Sequence, residues 1–228
     1  MLLNFDLISA NGSTESIQVS VANCIVAGWA GRDREAIEHH ILELAELGVP
    51  RPSDVPLYYR IATNQLTQSD QVQVVGANSS GEAEVLVFNH NNELCVSLAS
   101  DHTDRALEAH SVALSKQVCV KPAATQAWRY SDVAAHWDEL VLRAWIIEDG
   151  EEVAYQNGAV ASLLHPLDLI KKHFAQDHIP NQTAMTCGTV ATIGTIRPAT
   201  QFTMELYDPR LERSIRHTYQ VEFLPEIA

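Results

Sequence analysis

The stretch Ser79-Ser80-Gly81-Glu82-Ala83-Glu84 runs directly into Val85-Leu86-Val87-Phe88. Residues two apart in a strand share a face, so Glu82 and Glu84 point the same way. The residues after them are apolar on both faces, which puts the far end of the strand in a core. Two like charges at the mouth of a buried strand repel, and they need a cation, or one must take a proton. A hard divalent ion such as Mg²⁺ fits, because it prefers carboxylate oxygens. The plain alternative is an edge strand with both glutamates in solvent.

Three further stretches carry functional groups. Ser100-Asp101-His102-Thr103-Asp104-Arg105 follows an apolar strand, where a loop can present side chains to a site. Asp101 or Asp104 offers a third carboxylate, and Arg105 can pair with them or with an anionic substrate; the alternative is a helix start capped by Asp101. Lys116 lies between Val112-Ala113-Leu114 and Val118-Cys119-Val120, a setting that favours a buried, partnered lysine over a solvated one. In Glu38-His39-His40-Ile41-Leu42-Glu43, His39 is four residues from Glu43 and His40 three, so either pair can touch on a helix. A histidine oriented by a glutamate is a competent general base near neutral pH, and a plain polar helical face is the alternative.

The elements that must position these groups are mostly strands. Residues 3–22 read as a hairpin around Asn11-Gly12. A helix is expected over 33–47, capped by Asp33, with Ile37, Ile41, Leu44 and Ala45 as its apolar stripe and Gly48 as its stop. Pro50, Pro52 and Pro56 then force an extended link into Leu57-Tyr58-Tyr59-Arg60-Ile61. Runs at 71–75, 82–88 and 94–98 read as strands. Residues 100–122 read as a loop, and 140–147 with 152–156 as a hairpin closed by Asp149-Gly150. Pro166 starts a short helix through Phe174, and strands are expected near 189–195, 201–207 and 215–223. No regular alternation of strand and helix appears, which excludes a doubly wound sheet and favours a mainly β, α+β chain.

Composition bounds the partners. The 228 residues carry 29 acidic and 15 basic side chains, a formal net charge of −14, with no basic cluster. That argues against nucleic acid or an anionic membrane as partner. No apolar run approaches the roughly 20 residues needed to span a bilayer. Met1 to Asp6 has neither a basic region nor a long apolar stretch, so no secretory leader is expected, and the four dispersed cysteines, with no CxxC pair, fit a reduced cytoplasm better than a disulfide scaffold. Cys24, Cys95, Cys119 and Cys187 are far apart in sequence and read as small buried hydrophobes.

Taken in order, these pieces resemble the fumarylacetoacetate hydrolase superfamily, and within it a bacterial conserved-domain family of unknown function. Gly31-Arg32 precedes the helix with His39, His40 and Glu43; Pro56-Leu57-Tyr58-Tyr59 is similar to the family's aromatic strand. Glu82-Ala83-Glu84 resembles the paired metal ligands, and the Asp101–Arg105 stretch resembles the aspartate loop. Lys116 stands at the active-site lysine, Gly150–Gln156 at a hairpin ending in glutamine, and Val190–Thr195 at a Gly-Thr strand. The likeness runs over roughly residues 25–225. Arg60 departs from it, standing where a lysine is usual, and the intervals from Glu84 to Asp101 and from Asp101 to Lys116 are short.

The resemblance implies a mixed β-sandwich roll with a few peripheral helices, with residues 1–27 as an N-terminal hairpin and strand and 28–228 as the catalytic region. It also implies a homodimer. Glu82, Glu84 and Asp101 would hold Mg²⁺ or Mn²⁺. His40, oriented by Glu43, would be the general base; Lys116 would stabilise oxyanion charge, and Arg105 would support the metal site or the substrate carboxylate. The expected reaction is hydrolysis of a C–C bond in a β-diketo or 2-oxo acid. A decarboxylase, dehydratase or isomerase of 2-oxo acids is the alternative on the same chemistry, and a non-catalytic small-acid binder is the alternative from another class.

Overall fold

A computed structural model describes residues 1–46 and 51–227; the side chains of His40 and Leu44 lie outside the described residues, as does the expected stop at Gly48. Two β-sheets dominate it. The larger has eight strands in the order Thr14–Ser20, Leu2–Ile8, Gln126–Arg129, Glu93–Ser100, Ala83–His90, Thr183–Thr189, Asn23–Gly28, Leu57–Ile61. Most neighbours are antiparallel; Leu2–Ile8 with Gln126–Arg129 and Asn23–Gly28 with Thr183–Thr189 are parallel. The smaller sheet runs Glu151–Ala159, Val141–Glu148, Gln201–Asp208, Arg213–Leu224, Gln71–Val75.

Strand Ala83–His90 is buried on both faces. Val85 and Val87 join a core shared with Leu142, Phe202, Met204 and Tyr219 of the smaller sheet. Leu86 and Phe88 join a second core with Phe5, Leu7, Ile17 and Val26. Phe5 stacks on Phe88 at 4.5 Å between ring centroids, although two strands separate them in the sheet order. In a flat sheet three strand spacings would hold them about 14 Å apart. The large sheet therefore curls over its own inner face, which gives the mixed roll expected.

Most sequence expectations match their elements. The hairpin, the helix at Arg34–Glu46 with its Asp33 cap and the helix at Pro166–Phe174 are present. Others need correction. The strand expected at 189–195 is Thr183–Thr189. It sits between two strands with Thr183 and Thr186 both buried, so it shows no polar–apolar alternation to read. The loop at 100–122 contains two short helices, Arg105–Glu108 and Val112–Gln117, each capped by a side chain, Asp104 and Ser111. Ala45 is exposed rather than part of the buried stripe, while Ile41 is buried.

Candidate active site and metal centre

Pairing of adjacent strands assembles the three expected carboxylates. Ala83–His90 and Glu93–Ser100 are antiparallel, with Glu84 opposite Ala99 and Ala83 opposite Ser100. The Asp101 N–H donates to the Glu82 carbonyl at 2.9 Å, so the ladder continues past the last paired residues. Residues far apart in sequence thus meet at one end of the hairpin. One oxygen from each of Glu82, Glu84 and Asp101 lies within 4.8 Å of the others. Glu82 is 9% exposed, Glu84 2% and Asp101 fully buried, which rules out the edge-strand alternative.

Backbone and amide groups fix this end of the sheet. On the other side of Ala83–His90, the register of Thr183–Thr189 shifts between Thr186 and Thr189. Gly188 sits in that shift with φ +90° and its N–H donates to Glu84 Oε2 at 3.1 Å. A side chain at 188 would both strain the backbone and place its Cβ 2.8 Å from Ala30 Cβ. Gln156, from the smaller sheet, accepts from the Ala83 N–H and donates to Thr189 Oγ1 and the Val190 carbonyl. One buried amide therefore ties the Ala83–His90 strand to its neighbour.

Three basic groups surround the carboxylates. Lys116 Nζ lies 2.5 Å from Asp101 Oδ2, 3.2 Å from Thr103 Oγ1 and 3.6 Å from Glu82 Oε2. Burial works against its charge, but Asp101, Glu82 and Glu84 more than offset that and raise its pKa, so it stays an ammonium. Lys121 is fully buried; its Nζ donates to the carbonyls of His102, Lys116 and Cys119 and lies 3.0 Å from Asp101 Oδ1 without hydrogen-bond alignment. Burial opposes ionisation of Asp101, yet Lys116 and Lys121 pull its pKa below the ordinary aspartate range. Arg105 Nη2 lies 3.0 Å from Glu82 Oε1, and its other nitrogens reach Glu108 and Ser80.

Charge counting singles out Glu84. Glu82, Glu84, Asp101 and Glu108 face Lys116, Lys121 and Arg105, one positive charge short. Among the described residues Glu84 alone of the four has no cation within ion-pairing distance. Burial, then Asp101, pushes its carboxyl up to about 8. A proton satisfies that deficit, and so does a divalent ion. A hard cation with ligand distances of about 2.0–2.6 Å suits an all-carboxylate donor set of this span. The unaligned, buried Asp101 Oδ1 is a further acceptor with capacity to spare. The residues present therefore fit Mg²⁺ or a similar ion.

Glu82, Glu84 and Lys116 open onto a cavity of about 490 Å³. Its walls come from Ala27–Gly31, Ala36 and Ile37 of the first helix, Tyr59, Leu163 and Val190. Among the described residues lining it there is no histidine. His39 pairs with Glu43 at 3.3 Å, but both are more than half exposed. His40 lies on the same helix, one turn after Ala36 and Ile37, and its side chain lies outside the described residues. Asp104 does not join the carboxylates; it caps the Arg105 helix, accepting from Leu107 N–H at 2.9 Å. Arg32 turns away to Asp138 and the Leu163 carbonyl, and Arg60 to the Ala22 carbonyl. Lys121, Gln156 as a brace and Gly188 were not legible as site residues. Lys121 next to Pro122 looks like any loop lysine, and no spacing rule links it to Asp101.

The chain matches the family described as "Protein of unknown function (DUF2848)" over residues 27–219. No curated protein matches it in sequence. Among solved structures it is similar to Cg1458 with inhibitor, at TM-score 0.67 and 13% identity over 98% of this chain and 90% of that one. It is also similar to 2-keto-3-deoxy-D-arabinonate dehydratase complexed with magnesium and 2,5-dioxopentanoate (TM-score 0.59, 14% identity, 90% and 75% of the chains). A third is 4-oxalocrotonate decarboxylase from Pseudomonas putida G7 complexed with calcium and acetate (TM-score 0.56, 16% identity, 88% and 79%). With that family match and this shared architecture, the chain belongs to the DUF2848 family of unknown function and has the fold of the fumarylacetoacetate hydrolase superfamily.

Proposed function

We propose that this chain is a divalent-metal-dependent lyase of 2-oxo acids, a decarboxylase or dehydratase, with Glu82, Glu84 and Asp101 holding the ion. The observation that carries the reading is the buried three-carboxylate cluster, whose Glu84 has no cation partner among the described residues, with Glu82 and Glu84 facing a cavity. The similar structures point the same way: one is a dehydratase complexed with magnesium and a dioxo acid, another a decarboxylase complexed with calcium. They favour a lyase over the C–C hydrolase expected from sequence. When bound, the ion would supply Lewis acidity for the enolate of a 2-oxo acid. Lys116, permanently charged and lining the cavity, would bind the substrate carboxylate or stabilise oxyanion charge. Asp101 holds that lysine in place, and Arg105 holds Glu82.

Hydrolysis is the second reading. It needs an activated water, and position 40 follows the cavity-lining Ala36 and Ile37 by one helical turn. Loss of turnover in His40→Ala, with metal binding intact, would establish it, and Glu43→Gln would then lose part of the same activity. A non-catalytic binder would rest on the ion pairs of Lys116 and Arg105 with the carboxylates.

The deciding experiment is calorimetric titration of the EDTA-stripped protein with Mg²⁺ and Mn²⁺, beside a Glu82→Ala/Glu84→Ala double variant. One ion per chain is expected, lost in the variant. Mg²⁺ at 100 times its Kd should then add about 2.7 kcal/mol to stability. No binding by the wild type would remove the metal-dependent reading and leave the binder. The homodimer implied by the resemblance is proposed as well, and sedimentation equilibrium at twice the chain mass would support it.

A further inference from the structure

The cavity walls restrict what the substrate can carry beyond its 2-oxo acid end. Above the carboxylates the lining is Ala36, Ile37, Leu163, Val190 and the rings of Trp29 and Tyr59. Several polar side chains among the walls are already engaged, and Tyr59 Oη accepts from Trp29 Nε1 at 3.3 Å. Asp33 Oδ1 accepts from the N–H groups of Glu35 and Ala36. Ser162 Oγ donates to the Ala159 carbonyl. Thr189 Oγ1 donates to the Ala83 carbonyl and accepts from Gln156. Glu108 is held by Arg105. A substrate hydroxyl set against Ile37, Leu163 and Val190 would give up water without regaining a side-chain partner from them.

Charge narrows the class further. Lys116 is the one basic side chain among the described residues lining the cavity, and it is already shared between Asp101 and Glu82. The other charged linings are Asp33, Glu82, Glu84 and Glu108, all acidic. A second carboxylate on the substrate would meet apolar walls and negative charge, with no further cation among the described lining residues to receive it.

We infer that the site selects a monoanionic 2-oxo acid with an uncharged, unhydroxylated hydrocarbon tail, and rejects dicarboxylic and polyhydroxy 2-oxo acids. This inference rests on the 2-oxo acid reading above. Ile37, Leu163 and Val190 are its specificity-determining residues.

The test is calorimetric binding to the Mg²⁺-saturated full chain of four probes: pyruvate, 2-oxohexanoate, 2-oxoadipate and a six-carbon 2-oxo-3-deoxy sugar acid. Affinity should rise about fourfold for each methylene added between pyruvate and 2-oxohexanoate. The 2-oxoadipate and the sugar acid should bind at least about tenfold more weakly than 2-oxohexanoate. In Ile37→Lys, half-buried on a helix and thus tolerant of the change, 2-oxoadipate should gain and 2-oxohexanoate should lose. If pyruvate binds but 2-oxoadipate or the sugar acid matches or exceeds 2-oxohexanoate, this inference is overturned and the 2-oxo acid reading stands. If not even pyruvate binds the Mg²⁺-loaded protein, the 2-oxo acid reading fails and takes this inference with it. The wild-type series decides the matter even if the variant does not fold.

Discussion

Lys121 and Glu84 are the two residues whose surroundings make the sharpest demands. Lys121 is sealed from solvent, with three carbonyl acceptors and Asp101 around one ammonium. Replacing it with methionine keeps the volume but leaves three carbonyls short of a donor and Asp101 with one cation fewer. Breaking a buried pair from one side costs about 3–5 kcal/mol. Urea unfolding of Lys121→Met should show a loss of that size, and a change below about 1 kcal/mol would mean the lysine does not organise the loop. Glu84 makes a pH prediction. Its carboxyl is pushed from the ordinary glutamate range up to about 8, chiefly by burial. A raised pKa favours the protonated form in the fold, so that contribution to metal-free stability is complete below the unfolded value and is lost as pH rises through about 8. Mg²⁺ binds the carboxylate, so its affinity should climb as pH rises towards 8 and level off above. Below that pH each ion bound should release about one proton. Calorimetry at pH 6.5 in buffers of different ionisation enthalpy reads that proton directly, and zero release there would mean Glu84 is already ionised without metal.

At the scale of elements, the site is a junction of three strands braced by a fourth. Glu84 lies in Ala83–His90 with Glu82 just before it, Asp101 follows Glu93–Ser100, and Thr183–Thr189 brings the Gly188 N–H that fixes Glu84. The register shift at Thr186–Thr189 turns that N–H towards the glutamate, and only glycine takes its φ of +90° without strain. Gly188→Ala should therefore cost about 1–3 kcal/mol from backbone strain alone, with crowding against Ala30 added. Mg²⁺ affinity should fall alongside, because the Glu84 carboxylate loses its fixed donor. Equal stability and equal affinity in that variant would show that the shift is not what positions Glu84.

The molecule as a whole carries a net charge of −14, which would repel the proposed anionic substrate from a distance while Lys116 would attract it nearby. Salt screens the long-range repulsion first: the Debye length falls from about 30 Å at 0.01 M to about 8 Å at 0.15 M. At saturating Mg²⁺, binding of a 2-oxo acid should therefore tighten as ionic strength rises over that range. Weakening over the same range would show that local positive charge, not the net charge, governs approach. Among the described residues no helix is long and apolar enough to cross a membrane.

The sequence by itself determined the strand-rich class, the helix cap at Asp33, the proline that starts the helix at Pro166, and the paired glutamates Glu82 and Glu84 at the head of an apolar run. Those follow from local rules: alternation, capping chemistry and the spacing Glu-x-Glu at the head of an apolar run. It also marked Lys116, because an apolar setting on both sides of a lysine is a local signal. Local rules leave Asp101 and Asp104 open, with only the family resemblance favouring Asp101; strand pairing places Asp101 with Glu82 and Glu84 while Asp104 caps a helix. The tertiary structure alone supplied Lys121, Gly188 and the bracing role of Gln156, which depend on partners brought near by sheet pairing rather than by sequence spacing. The curl of the large sheet, visible where Phe5 meets Phe88, is of the same kind. Alternation of side chains specifies which face is buried, but the closing of that face on itself is settled only when both cores pack.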